Sequence, residues 1–295
     1  MQTVGFIGLG EMGAHMSARL KTKGTEVVVY DVRAEAVSEA CRWGARHASS
    51  VREVADRAET VFLSLPSPQV VSDVVTGSGD LVSGTALRCI VDLSTTGPTA
   101  ARDIERIVRT KNINWIDAPV SGGAVGAEAG TLSVMVSGKK PAFEGIQDLL
   151  QKLGKTYFID ETPGAGQVVK LGNNLLAASA MIVTAEVMAL GAKSGVDAAR
   201  MLEVIGASSG RNSAVQDKFP KAILTGGYNY GFTTGLFHKD ISLCLQEAAA
   251  CGIPMTLGAV TREIFSAAKN LYGEHSDQTN VVRMIEEWSS VQVRG

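Results

Sequence analysis

The chain has 295 residues, 45% of them hydrophobic, and a formal net charge of -2 at pH 7. This length exceeds that of a usual compact unit, so two domains are expected. The near-neutral charge and the lack of a basic run argue against a nucleic acid partner.

The four cysteines are scattered, and no Cys-x-x-Cys pair or zinc-finger spacing occurs. We therefore expect reduced cysteines and no metal site. Only Met1, Gln2 and Thr3 precede the first apolar run, and the apolar stretch from Leu175 to Leu190 is shorter than the roughly 20 residues of a membrane span. A cytoplasmic protein without a membrane segment is expected.

The first half of the chain, from Thr3 to about Ile159, alternates short β-branched runs with helix-patterned stretches. Parallel sheets covered by helices on both faces have this pattern. The predicted strands are Thr3–Ile7, Glu26–Tyr30, Thr60–Ser64, Cys89–Leu93, Asn114–Ile116, Leu132–Ser137 and Thr156–Ile159. Residues 1–162 are therefore predicted to form an α/β domain with a doubly wound parallel sheet.

A glycine-rich turn follows the first predicted strand and precedes a helix predicted from Met12 to Leu20. Its sequence is Gly8, Leu9, Gly10, Glu11, Met12, Gly13. In a dinucleotide site, the first glycine permits the tight turn, the second lets the backbone approach the pyrophosphate and the third lets helix and strand pack closely. A generic strand-to-helix turn is the alternative, but the flanking strand and helix favour the dinucleotide site.

An acidic residue, Asp31, ends the second predicted strand about 20 residues after the turn. A carboxylate there hydrogen-bonds the ribose hydroxyls of NAD and repels the 2′-phosphate of NADP. Arg33 is close enough in sequence to offset part of that repulsion, although an exposed arginine is usually only a solvated charge. NAD is the predicted cofactor, with NADP as the alternative.

Two further loops follow predicted strands, at the edge of the sheet where cofactors bind. One contains Leu65 and Pro66, and the other contains Ser94 and Thr95. Thr95 is predicted to reach the nicotinamide ribose, while Ser94 and Thr95 are also suited to cap a helix that begins near Pro98. The two roles are compatible.

The segment from Asp117 to Gly123 has a strand that ends at a proline and is followed by Ser121, Gly122 and Gly123. A hydroxyl beside two unobstructed backbone N–H groups suits a carboxylate ligand. A simple Gly-Gly turn is the alternative for this loop alone.

The pattern changes after Asp160, where Pro163-Gly164-Ala165-Gly166 interrupts regular structure and helical periodicity follows. Residues 163–295 are predicted to form an all-helical domain, joined to the first by a long helix. This helix, Gln167 to Lys193, has apolar residues on nearly all sides and is expected to be buried all round, in part by another subunit. Shorter predicted helices are Ala198–Ile205, Leu236–Ala250, Thr256–Asn270 and Val281–Val291.

Lys170 and Asn174 lie four residues apart in the long helix, so their side chains share one face and can converge on a small molecule. Burial of an ammonium group is costly unless it is paired or neutral, and a neutral lysine is a general base. A lysine that extends to the surface is the alternative. Lys239, beside Asp240, is a further candidate for a cofactor contact, with a surface ion pair as its alternative.

Four segments in this order resemble the β-hydroxyacid dehydrogenase family over nearly the whole chain. They are the Gly8–Gly13 turn, the Asp117–Gly123 loop, the Gly166–Asn174 segment and the Phe232–Asp240 segment. The resemblance implies an N-terminal Rossmann domain and a helical domain that builds homodimers or homotetramers. It also implies that Lys170 is the catalytic acid/base, that Ser121, Gly122, Gly123 and Asn174 hold the substrate, and that Thr95 and Lys239 contact the cofactor.

The leading hypothesis is reversible hydride transfer between NAD and a small β-hydroxy acid. A competing hypothesis is reduction of a semialdehyde or glyoxylate with NADPH, for which Arg33 is the only support. A third is a dinucleotide-binding interaction protein without turnover, which the presence of both Lys170 and Asn174 argues against.

Overall fold

The computed structural model describes residues 2–295, in two compact units that meet in sequence between Lys170 and Leu171. That division falls inside the long helix, whereas the predicted domain boundary after residue 162 precedes the helix and stays a prediction.

Among the residues that the structure describes, the N-terminal unit contains nine strands. They are β1 (Gln2–Ile7), β2 (Thr25–Tyr30), β3 (Arg46–His47), β4 (Thr60–Leu63), β5 (Cys89–Asp92), β6 (Asn114–Asp117), β7 (Val120–Ser121), β8 (Leu132–Gly138) and β9 (Gly154–Asp160). Its complete helices are α1 (Glu11–Leu20), α2 (Ala34–Arg42), α3 (Val51–Arg57), α4 (Pro68–Val75), α5 (Pro98–Arg109), α6 (Gly123–Ala129), α7 (Lys140–Gln151) and a 3₁₀ turn at Leu81–Ser83.

The strands form one sheet in the order β3-β2-β1-β4-β5-β6-β8-β7, with β9 also paired to β8. All pairs from β3 to β6 are parallel, which confirms the predicted α/β Rossmann arrangement. The exception is β8, which is antiparallel to β6 and β7. The chain continues from β6 past Pro119 into β7, and β8 returns alongside both.

Both faces of the sheet are buried, as the strand sequences predict. Because side chains alternate along a strand, Val4 and Phe6 of β1 lie in one hydrophobic cluster and Ile7 lies in the other. Packing in these two clusters holds each strand in position, and the loops at the carboxyl ends of the strands are positioned with it.

The C-terminal unit is helical in its regular structure. Its complete helices are α9 (Ala198–Gly206), α10 (Thr234–Ala250), α11 (Thr256–Tyr272), α12 (Asn280–Ser289) and a π-helix at Ala214–Ile223. Helix α8 (Ala165–Lys193) contributes residues to both units.

No helix was predicted at the π-helix. Pro220 lies inside it and lacks the N–H that a regular α-helix uses, which argues against a helix from sequence alone. Asn212 stabilises the start of this π-helix, because its side-chain oxygen accepts hydrogen bonds from the backbone N–H groups of Ala214 and Val215.

One face of α8 packs into the core of the C-terminal unit through Ala178, Met181, Ala185 and Met188. Within one chain this helix is not buried all round, and the burial of its remaining surface by another subunit stays a prediction. Its opposite face is apolar but exposed, and the exposed residues are Leu176, Val183, Val187 and Leu190. Helix α8 is also long and apolar enough to cross a membrane, a property that core helices of soluble proteins share.

Candidate active site

The turn after β1 has the conformation that its glycines predict. Gly8 has a φ of 93°, and a Cβ atom on it would lie 2.2 Å from the Ser64 carbonyl oxygen. A Cβ atom on Gly13 would lie 2.0 Å from the Gly8 carbonyl oxygen, whereas one on Gly10 would meet no atom within 4 Å. The backbone at Gly10 is thus open to a ligand beside the start of α1, which fits a dinucleotide pyrophosphate. Met12 is half-buried against the core.

Asp31 at the end of β2 is joined to this turn. Its Oδ2 accepts a hydrogen bond of 2.6 Å from the Leu9 backbone N–H, and its Oδ1 accepts hydrogen bonds from the Arg33 backbone N–H and Nε. Burial alone would raise the pKa of Asp31, but these hydrogen bonds outweigh it and hold the pKa below its usual value. Asp31 is therefore a fixed carboxylate at the turn.

Arg33 is not simply a solvated charge. Its guanidinium pairs with Asp31 at 3.2 Å and donates a hydrogen bond of 2.9 Å to the Leu9 carbonyl oxygen, although the side chain is 56% exposed. The arginine thus braces the acidic residue, and in this arrangement its charge is directed toward Asp31.

The two loops predicted at the carboxyl edge are connected to each other. The Leu65 backbone N–H donates a hydrogen bond of 2.9 Å to the Ser94 hydroxyl. Pro66 is exposed and Thr95 is half-buried. Helix α5 begins at Pro98 with Gly97 at its N-cap position, so neither Ser94 nor Thr95 is its N-cap residue.

Two buried carboxylates lie side by side beneath these loops, because Asp92 of β5 is in register with Asp117 of β6. Asp92 accepts hydrogen bonds from the Ser94 backbone N–H and the Thr96 hydroxyl. Burial raises its pKa to about 7 despite these bonds, and the Asp117 charge adds to the effect.

Asp117 has a supporting role that the sequence did not indicate. Its carboxylate accepts hydrogen bonds from Trp115 Nε1, the Ser137 hydroxyl and the Gly164 backbone N–H. Burial raises its pKa, against the effect of these three donors. Through Gly164, the segment that leads into α8 is attached to the sheet.

Replacing Asp92 with Asn is expected to change how stability depends on pH. The folded-state pKa of about 7 exceeds the usual 3.8, so the proton stabilises the fold fully below about pH 4 and this contribution is lost as the pH rises through 7. Between pH 5 and pH 8, denaturant titration should show the unmutated chain losing about 2.6 kcal/mol of unfolding free energy relative to Asp92→Asn. Asp148→Asn, at an exposed position of α7, is the matched control. A difference that is independent of pH would contradict the expectation.

The loop after β7 has two glycines in conformations that side chains rarely adopt, with φ of 135° at Gly122 and 66° at Gly123. A Cβ atom on Gly123 would meet no atom within 4 Å. Ser121 is half-buried on β7, opposite Ser133 of β8. A Cβ atom on Gly122 would lie 3.0 Å from the Leu132 side chain, so the open space lies at Gly123. The contact of this loop with a substrate stays a prediction.

Lys170 lies in the second turn of α8 and is 8% exposed. It does not extend into solvent, which removes the surface alternative. The start of its helix is fixed by the Gly166 backbone N–H, which donates to the Ser137 hydroxyl, and by the side chain of Gln167. Lys170 is thus carried by a turn that is attached to the sheet.

Asn174 and Lys239 meet at one carboxylate within the C-terminal unit. Asp240 Oδ2 accepts a hydrogen bond of 2.7 Å from Asn174 Nδ2, and Lys239 Nζ lies 3.1 Å from Asp240 Oδ1. The second contact is an ion pair without directed hydrogen-bond geometry. The Asp240 side chain is 3% exposed, so the surface-pair alternative is wrong.

Two buried polar residues of these clusters, Gln167 and Asp240, were not predicted as site residues. The signal for Asp240 is its position on the buried face of α10, between Phe237 and Cys244. An acid on an apolar helix face needs a partner, and Asn174 and Lys239 are its partners.

The strand order, the open glycine turn and the acidic residue at the end of β2 define a protein that binds a nicotinamide dinucleotide. Comparison with protein families agrees. Residues 3–162 match the NAD binding domain of 6-phosphogluconate dehydrogenase, and residues 164–285 match the NAD-binding domain of NADP-dependent 3-hydroxyisobutyrate dehydrogenase.

Similar proteins extend over the whole chain. The 2-(hydroxymethyl)glutarate dehydrogenase of Eubacterium barkeri is 36% identical over 99% of this chain and 97% of its own. The 3-hydroxyisobutyrate dehydrogenase of Pseudomonas aeruginosa is 37% identical over 93% of this chain and 95% of its own. A solved 3-hydroxyisobutyrate dehydrogenase of Mycobacterium tuberculosis with L-serine has a TM-score of 0.87 at 30% identity, covering 97% of this chain and 99% of that one.

The chain belongs to the β-hydroxyacid dehydrogenase family. It is accordingly an oxidoreductase of the class that acts on CH–OH groups with NAD or NADP.

Proposed function

We propose that this chain catalyses reversible hydride transfer between NAD and the hydroxyl-bearing carbon of a small β-hydroxy acid, with Lys170 as the general acid/base. The observation that carries this proposal is a buried lysine on a helix turn attached to the cofactor-side loops. A bound nicotinamide dinucleotide supplies the hydride acceptor in oxidation and the donor in reduction. The ammonium or amine of Lys170 gives or takes the hydroxyl proton.

The substrate carboxylate is assigned to the Ser121 hydroxyl and the backbone of Gly122 and Gly123, together with Asn174. Positive backbone angles aim the amides of such a loop at an anion. Asp240 fixes the orientation of the Asn174 amide, so that its two ends are not free to exchange. Without that hydrogen bond the amide can turn either its donor or its acceptor toward a ligand.

Most of the proposed contacts to the adenosine and the nicotinamide come from loops at the carboxyl ends of the parallel strands. Gly8, Gly10 and Gly13 form the pyrophosphate turn, with Leu9 and Met12 beside it, and Asp31 takes the ribose hydroxyls. Leu65, Pro66 and Thr95 contact the nicotinamide side, and Lys239 also contacts the cofactor. Because Arg33 is paired with Asp31, NAD is preferred over NADP.

The substrate class follows from chemistry that several relatives share. The names of the similar proteins include 2-(hydroxymethyl)glutarate, 3-hydroxyisobutyrate and L-serine. Each of these molecules is HO–CH₂–CH(R)–COO⁻, a primary alcohol two carbons from a carboxylate. We assign the same unit to the substrate of this chain, with R left to the side chains around the site.

A panel of such acids tests the proposal. Initial rates of NAD reduction should be measurable with at least one HO–CH₂–CH(R)–COO⁻ compound, and its analogue with an amide in place of the carboxylate should be a poor substrate. No turnover with NAD or NADP across the panel would contradict the proposal. The semialdehyde or glyoxylate reductase and the protein without turnover are less favoured, because the relatives are dehydrogenases named for hydroxy acids.

The helical unit is also proposed to build a homodimer or homotetramer in the cytoplasm. Leu176, Val183 and Leu190 recur every seven residues on the exposed face of α8 and are 74%, 57% and 68% exposed. Exposed apolar side chains in a row are costly in water, and this supports burial of the stripe against a second copy of the chain. Light scattering of the full chain should give at least twice the 31.0 kDa mass, and a monomeric mass at micromolar concentration would contradict this proposal.

A further inference from the structure

Gln167 makes an unusually complete set of buried contacts in the first turn of α8. Its side chain is fully buried, so each of its polar atoms needs a partner. Oε1 accepts hydrogen bonds from the backbone N–H groups of Thr96 at 3.0 Å and Gly97 at 3.3 Å. Nε2 donates a hydrogen bond of 3.0 Å to the Ser94 carbonyl oxygen.

All three contacts go to the backbone on either side of Thr95, the residue proposed to contact the nicotinamide ribose. The same loop is also bound by the Asp92 carboxylate, which accepts hydrogen bonds from the Ser94 backbone N–H and the Thr96 hydroxyl. Gln167 lies three residues before Lys170 in α8, close to one helical turn. One side chain therefore connects the cofactor-side loop to the helical turn directly before Lys170.

We propose that Gln167 is a positioning residue for the reaction, because it sets the position of the Ser94–Gly97 loop against the Lys170 turn. This inference rests on the proposed function. In the proposed oxidation the hydride and the hydroxyl proton leave the same HC–OH group, so the loop and the lysine must be aligned together. Groups of this kind need placement within about 0.5 Å, and a displacement of about 1 Å costs up to about 100-fold in rate.

The chemistry of the side chain explains why a glutamine occupies this position. A primary amide accepts two hydrogen bonds and donates another at the same time. Methionine fills a similar volume and makes none of these bonds. Glutamate retains the acceptors, but its ionised carboxylate faces the Ser94 carbonyl oxygen, where only a protonated carboxyl group can donate. Gln167→Glu should therefore regain part of the contact as the pH falls.

The experiment compares Gln167→Met and Gln167→Glu with Gln151→Met, which alters an exposed glutamine at the end of α7. Backbone amide exchange is measured in the full chain without ligand. Gln167→Met should increase the exchange rate of Thr96 and Gly97 by about tenfold or more, because their acceptor is removed. Amides within β5 and the Gln151→Met chain should stay within about twofold of the unmutated rates.

Kinetics and binding give the second measurement. Gln167→Met should lower kcat by about 10- to 100-fold, with KM for the hydroxy acid and NADH affinity within about threefold. For Gln167→Glu, the ratio of its kcat to that of the unmutated enzyme should rise as the pH falls. A buried carboxyl group also makes the folded fraction depend on pH, so the folded fraction of Gln167→Glu is measured at each pH and kcat is expressed per folded enzyme. A purely structural loss would leave this corrected ratio independent of pH.

Unchanged exchange at Thr96 and Gly97 in Gln167→Met would overturn the proposal, as would faster exchange with kcat within twofold. A pH-independent ratio for Gln167→Glu would also overturn it, and this variant decides the matter if Gln167→Met does not fold. If the unmutated chain oxidises no hydroxy acid, the proposed function fails separately. The exchange rates then decide alone whether Gln167 holds the loop.

Discussion

Replacing Lys170 with Met is expected to lower kcat by about 10³-fold while NADH still binds. Lys170 is buried at 8% exposure in the second turn of α8, where the proposed role is transfer of the hydroxyl proton. Methionine fills a similar volume without a titratable group, so the protein should fold and lose only the acid/base. General acid–base catalysis contributes about 10²- to 10⁴-fold in enzymes, which sets the expected magnitude.

Steady-state kinetics and fluorescence titration with NADH provide the measurements. Lys193→Met, at the exposed end of the same helix, is the matched control and should retain full activity. Lys170→Arg keeps a positive charge but cannot accept a proton, since the guanidinium stays protonated. If Lys170→Arg restored oxidation to near the original rate, the lysine would supply charge rather than act as a base. Near-normal kcat in Lys170→Met would remove it from the mechanism altogether.

The cofactor turn was predictable because its determinants are local. Gly8 needs a positive φ and Gly13 needs close approach to the Gly8 carbonyl group, and both requirements follow from residues within the turn. The alternation of strands with helices and the acidic residue at the end of β2 also follow from a contiguous pattern of residues. Such features depend on periodicity and spacing, which a single sequence displays.

The network behind the site was not predictable because its partners are distant in sequence. Gln167 and the Thr96 backbone are 71 residues apart, and Asn174 and Asp240 are 66 residues apart. Composition marks Gln167 and Asp240 only as polar residues on apolar helices. Their roles depend on which loop the fold brings to them.

The exposed face of α8 is a different case. An apolar residue on every side of a helix indicates burial, but the sequence does not distinguish burial by the same chain from burial by a second copy. Leu176, Val183 and Leu190 are exposed in one chain, and the helix packs only one face into its own core. The prediction of burial by another subunit remains the proposed explanation for that stripe.

The cofactor preference is expected to reverse when Asp31 is replaced with Ser. The Asp31 carboxylate is bound to the Leu9 backbone N–H at 2.6 Å and to Arg33, so its charge is held where the ribose hydroxyls are proposed to lie. Serine removes the charge that repels a 2′-phosphate and leaves the Arg33 guanidinium without its carboxylate partner. The ratio of NADPH to NADH affinity should then rise by about 100-fold, or about 2.7 kcal/mol.

Fluorescence titration of each variant with NADH and NADPH measures this ratio. Glu39→Ser removes an acidic side chain that pairs with Arg42 on the exposed face of α2, and the ratio should stay within about twofold of the original. Arg33→Ala in the unmutated background separates the two effects of the pair. If Arg33 only braces Asp31, NADH binding weakens and NADPH gains nothing. A rise in NADPH affinity in Arg33→Ala would show that the arginine charge does not assist a phosphate. An unchanged ratio of NADPH to NADH affinity in Asp31→Ser would exclude this carboxylate as the group that selects the cofactor.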